Sequence, residues 1–103
     1  MYKIIYFVPV DAKERTKDAL FSVGAGSFEK YMKCSWEVLG TGQFMPVKDA
    51  NPSIGSIDTL ERVEEYRVEM ICKGELIEEA IKILKETHPY EEVAYEVIKL
   101  EEF

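Results

Sequence analysis

Metal-ligating nitrogen and sulfur are scarce in this chain, with one histidine and two cysteines among 103 residues, and that scarcity narrows its chemistry more than any motif it contains. A zinc or two-metal reaction centre needs three or more ligands held in a shaped cavity. One chain offering only His88 does not build such a centre alone, so no cofactor and no resident metal are expected, and the chain is not expected to be a self-contained enzyme. The two cysteines, Cys34 and Cys72, lie in apolar-alternating runs without C-x-x-C spacing, so both read as reduced, buried, small hydrophobes. Positive charge is also in short supply. Thirteen basic residues face twenty acidic ones, a formal charge of −7, which repels the phosphates that supply most nucleic-acid affinity and disfavours that partner. No run approaches the about 20 apolar residues that cross a bilayer, so no membrane partner is expected. The opening segment Met1–Phe7 enters a strand pattern with no cleavage site, so the expected location is cytoplasmic. The six glycines fit neither GxxxxGK[ST] nor GxGxxG, which removes the two common backbone cradles for nucleotides.

What is present is the material of one packed domain spanning residues 1–103. The content is 47% hydrophobic, with five Phe, six Tyr and one Trp, far from the composition of chains that stay unfolded. Tyr2 to Val10 is almost continuously apolar and reads as a central strand. Asp11 and Glu14 have capping-box spacing, predicting a helix from near Ala12 with Ala12, Ala19, Leu20 and Val23 on its packed face and Gly24 as its left-handed stop. Met32 to Val38 alternates like a half-wet strand. Gly40-Thr41-Gly42 then reads as a turn and Gln43 to Val47 as a short return strand, giving a hairpin over residues 33–47. Lys48 to Ser56 reads as a loop. Leu60 to Cys72 alternates again, with Tyr66, Val68, Met70 and Cys72 on one face. Beyond Gly74, the stripe Leu76, Ile77, Ala80, Ile81 and Leu84 marks a second helix, in which Glu78 and Lys82 are spaced for an ion pair and which Pro89 ends. Val93 to Leu100 closes as a strand. Strand, helix, hairpin-extended strand, strand, helix, strand folds into two βαβ halves. The expected class is therefore α+β, a ferredoxin-like double βαβ sandwich: an antiparallel sheet, two helices on one face and a β-hairpin extension.

Two segments gather side chains with chemistry. At His88-Pro89-Tyr90-Glu91-Glu92 an imidazole, a phenol and two carboxylates meet at a proline-set junction. One reading is a metal held by His88 with Glu91 or Glu92, or an acid–base pair; the other is a histidine satisfying helix-end carbonyls beside solvated glutamates. Gly24-Ala25-Gly26 offers backbone amides to an anion, or else simply caps the first helix. The candidate ligand-binding residues are therefore Gly24, Gly26, His88, Tyr90, Glu91 and Glu92, with no catalytic and no metal residue assigned. Glu61, Glu64, Glu65 and Glu69 around Arg62 and Arg67 read as a charged face.

Several separated runs, Gly24-Ala25-Gly26 to Tyr31, Cys34-Ser35, Gly40-Thr41-Gly42-Gln43-Phe44 with Pro46, Pro52-Ser53-Ile54-Gly55, Leu60 to Glu65, and His88 to Tyr95, together resemble the insert domain of the NGG-interacting-factor-like family. These are also called dinuclear metal centre hexameric proteins. The resemblance covers nearly the whole chain, which is expected to stand as a chain of its own. It implies a CutA-like or PII-like fold which, in longer relatives, is inserted in a metal-binding domain and helps cap a ring-shaped hexamer. The dinuclear site of those relatives belongs to the flanking domain, and none of its ligands transfers to positions here. The function expected is a non-catalytic regulatory or assembly module that binds a small molecule or partner protein. The alternatives are a metal-binding protein with a site shared between subunits, and an accessory subunit of a metal-dependent hydrolase or cyclohydrolase. A homo-oligomer is expected, a trimer by analogy with CutA-like assemblies or else a dimer.

Overall fold

The computed structural model describes residues 1–103. Strand β1 (Tyr2–Pro9) leads through a 3-10 turn (Val10–Ala12) into helix α1 (Lys13–Ser22). Strands β2 (Trp36–Phe44) and β3 (Glu61–Cys72) follow, then a second 3-10 turn (Gly74–Leu76), helix α2 (Ile77–Thr87) and strand β4 (Tyr95–Lys99). The four strands form one sheet in the order β2-β3-β1-β4, with every neighbouring pair antiparallel. This is the α+β ferredoxin-like arrangement that the order of patterns implies.

Alternation explains which face each strand buries. Ile4, Tyr6 and Val8 of β1 stand beside Met70, Val68 and Tyr66 of β3. All but the partly buried Tyr66 are sealed in a core completed by Leu20 of α1 and Ala80 and Leu84 of α2. The core holds one hydroxyl pair, where the buried Tyr6 and Thr16 hydroxyls lie 2.9 Å apart and Thr16 donates back to the Lys13 carbonyl. Burial raises the Tyr6 phenol well above its ordinary range. Thr16 escapes hydrophobic pattern reading because its partner, not its polarity, decides its burial.

The structure corrects several local expectations. Gly40, Thr41 and Gly42 are no turn: they lie inside β2, paired with Glu65, Glu64 and Val63. The hairpin is instead β2 with β3, closed by residues 45–60, and Gln43-Phe44 end its outgoing strand. Met45 to Val47 belong to that connecting loop, where Pro46 needs no ladder partner. Met32 to Cys34 lie outside β2, and Cys34 is only partly buried, while Cys72 is sealed. The Asp11–Glu14 capping box does not form, because the intervening 3-10 turn moves the helix N-cap to Ala12. Glu78 and Lys82 form no ion pair, and β4 begins at Tyr95, two residues later than its pattern.

The β2–β3 hairpin outruns the rest of the sheet. Glu61 to Glu64 pair only with Thr41 to Phe44, whereas β1 ends opposite Glu65. The molecule is accordingly elongated, 46 × 25 × 24 Å. On the helix side β2 is tied down by Glu37, which accepts from both Lys13 and Lys17 of α1. The two ammonium groups hold the Glu37 carboxyl below its ordinary range.

Candidate functional site

His88 is placed by two neighbours in sequence. Its amide makes the last helical bond to the Leu84 carbonyl at 2.9 Å, and Pro89 forces its backbone out of the helix, at φ −77° and ψ 139°. That turn sends the imidazole under the end of β1, where it is 6% exposed. Nδ1 accepts from the Tyr90 amide at 3.1 Å, which puts the ring proton on Nε2, facing the Phe7 carbonyl at 2.7 Å. Burial lowers the imidazole pKa, so the ring is neutral near pH 7. Both ring nitrogens are thus occupied by backbone, and His88 acts as a strut between β1 and the 89–94 segment.

Tyr90 carries that strut outward. Its ring meets His88 edge-on at 4.8 Å between centroids and Phe44 of β2 at 6.2 Å. Its hydroxyl donates to Glu65 Oε2 at 2.8 Å. Burial and the adjacent carboxylate keep the phenol protonated well above its ordinary range. Glu65 can lie there because it crosses Gly42: a Cβ on that residue would stand 1.8 Å from Glu65 Oε1. Glu91 makes the third link, its two oxygens accepting from the Asn51 amide at 3.2 and 3.0 Å and pinning the 45–60 loop to the 89–94 segment.

Between these links lies a cavity of about 340 Å³. Phe44, Pro46, Val47, Pro52 and Ile54 form its apolar wall, and Glu65, Tyr90, Glu91 and Glu92 its polar one. Tyr90, Glu91 and Glu92 therefore share one site with each other, and His88 stands behind it. Gly24 and Gly26 are elsewhere. Gly24 closes α1, donating to the Phe21 carbonyl at 3.0 Å, while the Ala25 amide reaches Leu20 at 3.1 Å. The Gly26 amide donates to the Ile71 carbonyl at 2.8 Å, so all three amides are spent inside the fold. Ile71 stands opposite Lys3, and His88 holds Phe7, four residues further along β1. The two candidate clusters are thus separated by about 13 Å of strand.

Pattern reading missed Phe44, Asn51, Ile54 and Glu65 as site residues. Asn51-Pro52 and Gly55 were legible as loop, but only the contact between that loop and the 89–94 segment makes it a wall. Nor does the site suit a metal held by His88 with Glu91 or Glu92. No three His, Cys, Asp or Glu side chains converge closely enough to hold one metal ion, and the lone imidazole is committed at both nitrogens.

The chain is 41% identical over 98 residues to the protein of Mycobacterium tuberculosis named GTP cyclohydrolase 1 type 2 homolog. That alignment takes in 95% of this chain and 26% of the relative. The similarity is to one segment. A solved Bacillus cereus protein related to NIF3 superimposes with a TM-score of 0.84 at 40% identity, over 98% of this chain and 26% of its own. The chain thus spans about a quarter of the length of these relatives. CutA1 of Pyrococcus horikoshii matches as a nearly complete protein, with 100% of this chain on 86% of that one, a TM-score of 0.73 and 16% identity. At that identity it shows the fold alone, which is the CutA-like form of the ferredoxin-like sandwich. No family model matches the chain. No helix is long and apolar enough to cross a membrane.

Proposed function

We propose that the chain is a non-catalytic regulatory or assembly module, equivalent to the insert segment of the NIF3-related proteins, that self-associates through the edge of β2 and takes a small molecule in the cavity beside Tyr90. The observation that carries this reading is the projecting hairpin. Its outer strand is nine residues long, has no partner on one side, and exposes Trp36, Val38 and Leu39. A long unpaired edge with exposed apolar side chains is a template for another chain, and closed symmetry satisfies it without fibre growth. A trimer is the favoured count and a dimer the alternative. The non-catalytic part of the reading is supported by the engagement of His88, the one imidazole and the usual proton-transfer group near neutral pH, in backbone hydrogen bonds at both nitrogens.

Light scattering at micromolar concentration tests the assembly. The expected mass is that of two or three chains, falling to one in the Val38→Lys variant, whose charge blunts the edge without touching the core. A stable single-chain mass for the unaltered protein, or an assembly that Val38→Lys leaves intact, refutes it.

A further inference from the structure

The cavity beside Tyr90 has the size and walls of a small-ligand site, and its charge says which ligand. Three carboxylates, Glu65, Glu91 and Glu92, line it, and no lysine, arginine or histidine does. Two of them are held in place as acceptors: Glu65 by the Tyr90 hydroxyl and Glu91 by the Asn51 amide. Glu92 makes no hydrogen bond or ion pair and stands free at the rim. The opposite wall is Phe44, Pro46, Val47, Pro52 and Ile54, so a ligand that satisfies the carboxylates also has to cover apolar and aromatic surface. A bare hydrated metal ion covers none of it. An anionic nucleotide would bring its phosphates against three negative charges.

We infer that this cavity binds a small organic cation, an alkyl- or arylalkyl-ammonium whose charged head faces the wall carrying Glu65, Glu91 and Glu92 and whose apolar body rests on Phe44, Pro46 and Ile54. The inference rests on the small-molecule half of the proposed function and is independent of the assembly half. The Tyr90 and Phe44 rings add a cation-attracting surface. Carboxylates fixed by neighbouring donors before the ligand arrives need little reordering to receive it. The same lining rejects GTP at this cavity, whatever the longer relatives do with their remaining three quarters.

The test is a titration of the full chain, followed by amide NMR, with three probes of one shape: phenethylammonium, the neutral phenethyl alcohol and the anion phenylacetate, with GTP as a fourth. Saturable shifts are expected for phenethylammonium at Ala50, Ile54, Tyr90 and Glu92 and not at Gly24 or Gly26, with affinity at least about tenfold above that of the alcohol. Phenylacetate and GTP should leave those amides unmoved. Glu92→Gln, a change at an exposed residue with no partner to lose, should weaken the ammonium several-fold and leave the alcohol unchanged. Equal binding of alcohol and ammonium, binding of either anion there, or no saturable shift with phenethylammonium overturns the inference. Light scattering on the same samples keeps the two proposals separate. A monomer that binds the cation refutes only the assembly, and an oligomer that ignores it refutes only the cation site.

Discussion

Two glycines on the same strand, two residues apart, should respond in opposite senses to the same substitution. At Gly40 an added methyl meets nothing within 4 Å, whereas at Gly42 it would stand 1.8 Å from Glu65 Oε1 and 2.6 Å from Cδ. Glycine inside a strand costs roughly 0.5–1 kcal/mol relative to alanine, because it has more freedom to lose on folding. Gly40→Ala should therefore stabilise by about 0.5 kcal/mol. Gly42→Ala gains the same amount but pushes the Glu65 carboxylate, the far end of a flexible side chain, away from Tyr90. The chain still folds, and what is lost is a hydrogen bond to a charged group, worth about 1.5–3 kcal/mol where water is excluded and here nearer the lower figure because Glu65 is only partly buried. The net expectation is a loss of about 1 kcal/mol, so the twin substitutions should differ by about 1.5 kcal/mol. Urea unfolding at one fixed protein concentration measures this as a shift in midpoint at constant slope. Tyr90→Phe supplies the control. In that background the hydrogen bond is already gone, and Gly42→Ala should become neutral or stabilising. Equal effects of the two substitutions, or an unchanged penalty in the Tyr90→Phe background, would refute the role assigned to Gly42.

His88→Ala should cost about 2–3 kcal/mol, since it leaves the partly buried Phe7 carbonyl and Tyr90 amide without partners. Burial depresses the His88 pKa below its ordinary 6.5, so the unfolded chain takes up that proton first; stability is full above pH 6.5 and declines as pH falls toward the folded value. The His88→Ala variant should lack that part of the slope, and a parallel slope in both proteins would contradict the neutral assignment. For the thiols, a maleimide or disulfide reagent under native conditions should modify partly exposed Cys34 and spare sealed Cys72 until urea opens the core. Equal rates for the two would contradict their placement.

The layered architecture was legible in the sequence because its elements obey single periods. Ile4, Tyr6 and Val8 alternate, as do Tyr66, Val68, Met70 and Cys72, and Ala80 and Leu84 fall one helical turn apart. What was misread was governed by pairs rather than periods. Gly40-Thr41-Gly42 has turn composition, yet Gly42 is in β2 to leave room for Glu65, a residue 23 positions later. Asp11 and Glu14 have the spacing of a cap, but a 3-10 turn between them removes the geometry the spacing assumes.

The candidate site divides along the same line. Composition at residues 88–92 pointed, through its histidine, to a segment that walls the cavity, yet the histidine's chemistry is spent on the fold, and the groups left facing the cavity are the phenol and the glutamates. The rest of the cavity comes from β2, β3 and the 45–60 loop, segments 25 to 50 residues away in sequence that meet residues 88–92 through the Tyr90–Glu65 and Glu91–Asn51 bonds and the Phe44–Tyr90 ring contact. Each of those bonds ends on a group whose own residue type is unremarkable, a strand glutamate and a loop amide. A cavity closed by one hydroxyl and one backbone amide leaves no spacing for a motif to record. That is why the glycines at 24 and 26, with a pattern that looks like a cradle, proved to be spent inside the fold, while the glycine that opens the site stood in a stretch that looked like a turn.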